Sequence, residues 1–339
     1  MDQSFELFDD DRKLIGEWIT QVLEEQYKDP VIQKMVLPVF ANSKSKKLRP
    51  LLILNVFKML TPSTEDLSCL KPVSSAMEIS HNASLLVDDV FDKDQLRRGK
   101  ASFFVEHGTF AALSIAYNLS AFVFDLATRS DDAQVVREFG KAATALSSAL
   151  YFSKDLKNSK SISKEFFMDV LHRKTSALFE SSAKVGALMA SKFEDVNEET
   201  LEEMRNFGSY FGTAYQLRDD VLAIIGTFKD LGKKPDSDIT NRFQSLITIE
   251  AMRLSKGEDQ EKLKNYYLKD IDYDHDEIRS ILIDSGAVTS VVETTIEYRK
   301  KAVEILNKFP DSDGKNKLMS LANLINFESI QPYLVVNAN

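Results

Sequence analysis

Residues 78–102 read EISHNASLLVDDVFDKDQLRRGKAS, an apolar run that turns abruptly into acids and bases. The apolar positions leading into it, from Met77 onward, recur with helical period, so the stretch is the end of a helix. On that helix Asp88 and Asp92 fall one turn apart on the same face, with Asp89 displaced by roughly 100°. Like charges at this spacing repel by a few tenths of a kcal/mol even when solvated. Following an apolar helix, some of them should also be partly buried. A buried carboxylate needs a cation, and an oxygen-only cluster prefers a hard one, Mg²⁺ in particular. A helix end charged only for solubility is the plain alternative. A second acid pair weighs against it: YQLRDDVLA, residues 215–223, carries Asp219 and Asp220 just after Gln216 and just before the lysine-rich GTFKDLGKKPDSDI at 226–239. Arg97, Arg98 and Lys100 then have a use. Mg²⁺ is usually held by a few carboxylates together with phosphate oxygens, so acids and bases side by side suit a diphosphate. Arginines supply planar bidentate donors, whereas Lys174 and Lys233 supply point charges.

Working outward, apolar spacing at period 3.6 predicts helices at about 5–27, 31–41, 50–60, 66–91, 103–127, 131–151, 164–192, 198–225, 241–257, 276–285, 288–308 and 314–326. Strand-like alternation is nowhere sustained. Start signals precede three of these helices: Thr64 before EDLSCL, Ser163 before KEFFMDVL and Asn197 before EETLEEMRNFG. The chain has 12 glycines and 8 prolines, with none of the prolines between Pro72 and Pro235. Proline inside a helix costs about 3 kcal/mol, so that span permits long uninterrupted helices. The expectation is an all-α, single-domain bundle of long helices over residues 1–339. The acidic run DIDYDHDE at 270–277 imitates a calcium loop, but His275 stands where the turn requires glycine and Ile281 where a bidentate glutamate is required. It reads as a surface loop and helix cap.

Composition sets the remaining bounds. The 339 residues are 43% hydrophobic and 28% charged, with a net charge of −9. An acidic chain without a basic stripe is a poor nucleic-acid binder, so no nucleic-acid partner is expected. One cysteine, Cys69, leaves no internal disulfide and no cysteine metal site. The acidic start MDQSFELFDDDRK reads as neither signal nor transit peptide, and no apolar run approaches the roughly 20 residues that span a bilayer, so a cytoplasmic location without a transmembrane segment is expected.

The ordered set KKLRPLL (46–52), EISHNASLLVDDVFDKDQLRRGKAS (78–102), HRKTSALF (172–179), FGTAYQLRDDVL (211–222), GKKPDSDI (232–239) and DSGAV (284–288) resembles the trans-isoprenyl diphosphate synthases of the polyprenyl synthetase family. The resemblance runs from about residue 30 to about 326, and the combination of DDxxD with RRGK is its most specific part. It implies a Mg²⁺-dependent prenyltransferase acting on isopentenyl diphosphate and an allylic diphosphate, expected as a homodimer whose helix bundle surrounds a deep central cavity. By resemblance, Lys46, Arg49, His81 and Arg98 would hold isopentenyl diphosphate. Asp88 and Asp92, with Asp89 in support, would bind two Mg²⁺ ions, and Asp219 with Asp220 a third. Arg97, Lys174, Thr175, Gln216 and Lys233 would grip the allylic diphosphate, whose ionisation leaves a cation for the alkene to attack.

Ala83 and Ser84, five and four residues before Asp88, are small and leave the channel for a growing chain open, which implies a product of C20 or longer. The exception would be an aromatic floor formed by Phe110, Tyr117 or Phe122. The sequence also departs from the family pattern. The second acidic motif has Ala223 in place of its third acid, Arg242 and Phe243 stand where a lysine usually follows "SDI", and Val87 replaces a common histidine. These changes leave open a terpene cyclase or unusual coupling enzyme, and a weakly active partner subunit. The intact first motif and the isopentenyl diphosphate residues favour the elongating synthase.

Overall fold

A computed structural model describes residues 3–41, 45–97, 99–157, 161–225 and 237–327. Among these the architecture is helical as expected: α1 Asp9–Gln26, α2 Pro30–Phe40, α3 Leu48–Leu60, α4 Lys71–Asp92, α5 Phe103–His107, α6 Thr109–Thr128, α7 Ala133–Ser153, α8 Lys164–Leu171, α9 Ala177–Ala190, α10 Glu198–Ile225, α11 Ser237–Thr240, α12 Leu246–Leu254, α13 Gly257–Leu268, α14 His275–Asp284, α15 Ala287–Leu306 and α16 Asp313–Asn323. One two-residue hairpin, β1 Leu96–Arg97 with β2 Lys100–Ala101, interrupts them. The chain forms two compact units. The first comprises Met1–Leu146, Ala177–Ser209 and Ala302–Leu324; the second comprises Ser147–Ser176, Tyr210–Lys301 and Ile325–Asn339.

In the first unit α3 is the buried axis. Its sequence LRPLLILNVFKML is apolar nearly all round, which suits a helix covered on every side. Two glycines let neighbours approach its backbone. A Cβ on Gly186 of α9 would lie 2.7 Å from the Ile53 carbonyl oxygen, and one on Gly314 of α16 would lie 2.4 Å from the Met59 nitrogen. Any side chain at either place would force the helices apart. Asp11 of α1, buried beneath this bundle, accepts Lys58 Nζ from α3 at 2.9 Å and Lys317 Nζ from α16 at 2.8 Å. Two lysines offset the desolvation of one carboxylate and tie three helices together.

The second unit has its own core, in which Leu217, Val221 and Leu222 of α10 pack with Ile247, Tyr266, Ile278 and Val291. Four further helices thus cover the end of α10 that carries the second acid pair.

Several boundaries differ from the sequence expectation, each for a local reason. Asn197 and Ser163 are caps as predicted, accepting from the backbone nitrogens of Thr200 and Phe166. Thr64 is not one: Asp66 instead accepts from Ser68 N and starts a short 3₁₀ turn, so α4 begins at Lys71 with a proline in its first turn. Gly108, at φ 85°, splits the helix expected over 103–127. The helix expected over 164–192 contains a π-helical turn, His172–Ser176, with one extra residue in its winding. Helix α13 was not anticipated, because Leu263, Tyr266 and Tyr267 are its only buried residues and no side chain caps its start. Finally, α6 is long and apolar enough to cross a bilayer, contrary to the expectation of no such run; alanine, serine and threonine dilute its apolar signal. Its buried face, including Ile115, Leu119 and Phe122, packs on α4 as a core helix does.

Candidate active site

Helix α4 ends where the acids begin. Lys93 takes the left-handed conformation at φ 56° and closes the helix, and Asp94 N donates to the Asp89 carbonyl at 3.0 Å. The chain then reverses through the hairpin, with Gly99 at φ 81°, so that Arg97 folds back onto the helix it just left. Its Nε donates to Asp89 Oδ1 at 2.8 Å, and its Nη2 reaches the same oxygen. Asp94 lies 3.5 Å from that Nη2. Asp89 is 2% exposed, whereas Asp88 and Asp92 are half-buried at the helix end. Burial pushes the Asp89 carboxyl above its ordinary range, outweighing the pull of Arg97 in the other direction. The three carboxylates are therefore inequivalent: one is committed to Arg97 and two are half-exposed on one side of the helix.

Three further candidates lie in the same unit. Lys46 is exposed, with its ammonium 5.5 Å from the centre of the Phe5 ring. Arg49, in the first turn of α3, stacks over Phe179 at 4.4 Å. His81 is half-buried one helical turn after Glu78 on α4. Ala83 is 2% exposed, and Ser84 turns its hydroxyl onto the His81 carbonyl at 2.7 Å, so both present small surfaces. The suggested aromatic floor does not form within this chain: Phe110 and Tyr117 are 86% and 82% exposed, and Phe122 packs edge-on against Tyr27.

In the second unit the π-helical turn does the positioning. It directs Thr175 Oγ1 to Gln216 Oε1 at 2.9 Å, and Gln216 Nε2 donates to Asp220 Oδ1 at 2.8 Å. Beneath them the Ser176 and Thr213 hydroxyls meet at 2.8 Å. Thr175, Gln216 and Asp220 are thus joined as one hydrogen-bonded row, beside half-buried Lys174. The Asp219 side chain is 41% exposed and lies 3.6 Å from Arg218. Arg98 and Lys233 lie outside the described residues.

A family model, polyprenyl synthetase, matches residues 30–283. The chain belongs to the polyprenyl synthetase family. It is a trans-isoprenyl diphosphate synthase and hence a transferase. A short chain isoprenyl diphosphate synthase from Methanocaldococcus jannaschii is 29% identical over 259 residues, covering 75% of this chain and 74% of that protein. The crystal structure of a geranylgeranyl pyrophosphate synthetase from Pyrococcus horikoshii superposes with a TM-score of 0.85 at 29% identity, covering 96% of this chain and 98% of that one. A polyprenyl synthase from Caulobacter crescentus, solved with calcium and isoprenyl diphosphate, has a TM-score of 0.84 at 24% identity and covers 96% of each chain, which shows the fold.

Against that family pattern, two altered positions of this synthase, Ala223 and Arg242, have structural surroundings of their own. Ala223, in place of the third acid, is 4% exposed among apolar neighbours. Arg242 is no stand-in for the missing lysine. It stacks on Tyr266 at 4.4 Å, donates to the Tyr266 carbonyl at 2.8 Å, and pairs with Asp270 at 2.8 Å and with Asp272. The acidic run that imitates a calcium loop is therefore the counter-charge of Arg242. Its Asp274 caps α14, as expected, by accepting from the nitrogens of Asp276 and Glu277.

Among the described residues no three His, Cys, Asp or Glu side chains gather as a metal cage. The donor set still fits Mg²⁺, which takes one or two carboxylates plus waters and phosphate oxygens rather than an all-protein shell. Asp88 and Asp92, one turn apart and half-exposed, are such a pair.

Proposed function

We propose that this synthase condenses isopentenyl diphosphate with an allylic diphosphate, in the presence of Mg²⁺, to a linear trans-prenyl diphosphate of C20 or longer. The observation that carries this reading is that one unit holds the half-exposed carboxylates Asp88 and Asp92 at the end of α4, His81 earlier on the same helix, and Lys46 and Arg49 at the start of α3, which packs on α4. A cyclase has no use for the latter three. Asp88 and Asp92 would hold Mg²⁺, with Asp219 and Asp220 supplying a weaker second site and three ions as the expected number. Bound Mg²⁺ would neutralise charge on the departing diphosphate. Arg97, Lys174, Thr175 and Gln216 orient that diphosphate, and Arg97 is held ready by Asp89. Lys46, Arg49 and His81, with Arg98, hold the nucleophile. The relatives named for geranylgeranyl products and the small Ala83 and Ser84 support the product length.

The two units act as one catalytic domain in this reading, in the cytoplasm and as a homodimer. Helix α6 supports the last point: Phe110, Leu113, Tyr117 and Phe124 stand exposed along one face of a helix whose other face is core. A second copy covering that ladder would hide it, and Tyr117→Asp should convert the dimer to monomer in light scattering.

Incubation with Mg²⁺, labelled isopentenyl diphosphate and each of dimethylallyl, geranyl and farnesyl diphosphates tests the function. Prenyl alcohols of C20 or longer, seen only after phosphatase treatment, are the expected result. Buried Ala223 favours one second reading, in which a weakened second site redirects the allylic cation to cyclisation. Hydrocarbons or cyclic alcohols appearing without phosphatase would establish it. Incorporation by neither route would assign the chain to a partner-subunit role.

A further inference from the structure

Glu78 lies in the middle of α4 and is 3% exposed. A buried carboxylate must recover its lost hydration from nearby donors. Here Oε1 accepts from the Ser45 hydroxyl at 3.0 Å and from Asn82 Nδ2 at 3.3 Å, while the same Asn82 nitrogen donates to the Glu78 carbonyl at 2.8 Å. Ser45 is 33 positions away in the chain and itself buried. Its backbone is fastened from a second direction, because Arg12 Nη2 of α1 donates to the Ser45 carbonyl at 3.0 Å. The residue that follows is Lys46. Lys47 then turns through the left-handed region at φ 49°, and α3 opens with Arg49 in its first turn.

We propose that Glu78 is a positioning residue for isopentenyl diphosphate, fixing through Ser45 the backbone from which Lys46 and Arg49 reach the diphosphate. The inference rests on the prenyl-transfer reading above and adds a residue to it. Glu78 is not a ligand: it is sealed from solvent, and its negative charge would repel a diphosphate. It acts on the approach to α3. A lysine side chain gives up about 2 kcal/mol of rotamer entropy when it is fixed, so a loop that was itself loose would add its own ordering cost to every binding event. Pinning Ser45 from α4 and α1 settles that ordering before substrate arrives. Because α4 also carries His81 one turn later, the latch places Lys46 in register with the histidine expected to share its ligand.

The test is steady-state kinetics on the full chain, varying each substrate at saturation of the other, for wild type, Ser45→Ala, Ser45→Thr, Glu78→Gln, Glu78→Ala and the double alanine variant. Ser45→Ala and Glu78→Ala should each raise KM for isopentenyl diphosphate about 10-fold. They should leave kcat and the allylic KM within about twofold of wild type. Ser45→Thr and Glu78→Gln, which keep the hydroxyl and an accepting oxygen, should restore nearly wild-type KM. The double variant should be no worse than Glu78→Ala alone, since both break one link. Should Glu78→Ala fail to fold, the Ser45 pair carries the comparison. Equal rises in both KM values, or losses that multiply in the double variant, would overturn the latch while leaving the prenyl-transfer reading intact. Wild-type protein that incorporates no isopentenyl diphosphate would overturn that reading and the latch with it.

Discussion

The two acid pairs begin from the same residues, Asp-Asp late in an apolar helix, and end in opposite settings. At the end of α4 the helix stops, the chain doubles back, and an arginine eight residues on neutralises the buried member while Asp88 and Asp92 stay accessible. In α10 the helix continues to Ile225. Asp220 is buried and tied to Gln216, Asp219 faces Arg218, and the next turn offers buried Ala223. Where α4 stops, Asp88 and Asp92 stay half-exposed beside an Asp89 held by Arg97, whereas in α10 Asp220 is tied to a side chain of its own helix. In the proposed reaction the first region would carry the demanding electrostatics and the second would mostly align.

Exchanging acid for alanine breaks this comparison most directly. Asp88→Ala should lower kcat/KM for isopentenyl transfer by roughly 10²–10³-fold, a loss typical of removing charge stabilisation from a transition state. Asp219→Ala should cost about a tenth as much. Equal losses would mean that the two sites bear equal weight. Next, Ala223→Asp places a carboxylate where only 4% of the residue meets solvent, and should destabilise the fold by about 2–4 kcal/mol in urea unfolding without raising turnover. A gain in Mg²⁺-dependent rate would instead show a site short of a single ligand.

Arg97→Ala sharpens the first region. Asp89 lies above its ordinary range because burial outweighs Arg97, and the arginine is the cause that lowers it. Without Arg97 the carboxyl should rise further, so the acid limb of the pH profile of kcat/KM should move to higher pH. The same raised value means that the folded state binds the Asp89 proton more tightly than the unfolded chain. Its effect on stability is thus most favourable below about pH 4 and declines as pH climbs through the folded value. The smallest effect belongs to Arg242. Arg242→Ala should leave turnover within twofold and lower stability by about 1 kcal/mol through loss of its bond to the Tyr266 carbonyl and its stacking.

Much of this was legible in the chain before its coordinates. Long runs without proline, caps such as Ser163 and Asn197, and period 3.6 gave the helices, and α10 has the bounds that its apolar spacing implies. Asp88 and Asp92 raised the expectation of a cation because carboxylates one turn apart repel each other. What stayed hidden depends on contacts distant in sequence. Nothing local to Arg242 says that it will pair with residues 270 and 272, and nothing in Ser45 names Glu78 as its acceptor. The π-helical turn was invisible for a different reason: one extra residue in a helix leaves composition unchanged and only rotates every later position by roughly 100°. Phe110 and Tyr117 were weighed as a floor because aromatic type alone cannot say which way a helix faces.

Asp11, gripped by Lys58 and by Lys317 from 306 residues away, has a practical corollary. Trimming α1 would strand two half-buried lysines, and trimming α16 would remove one of the two cations from a buried acid. The first and last helices of the bundle are therefore a single engineering unit, and shortening one end for expression or fusion will be felt as melting at the other.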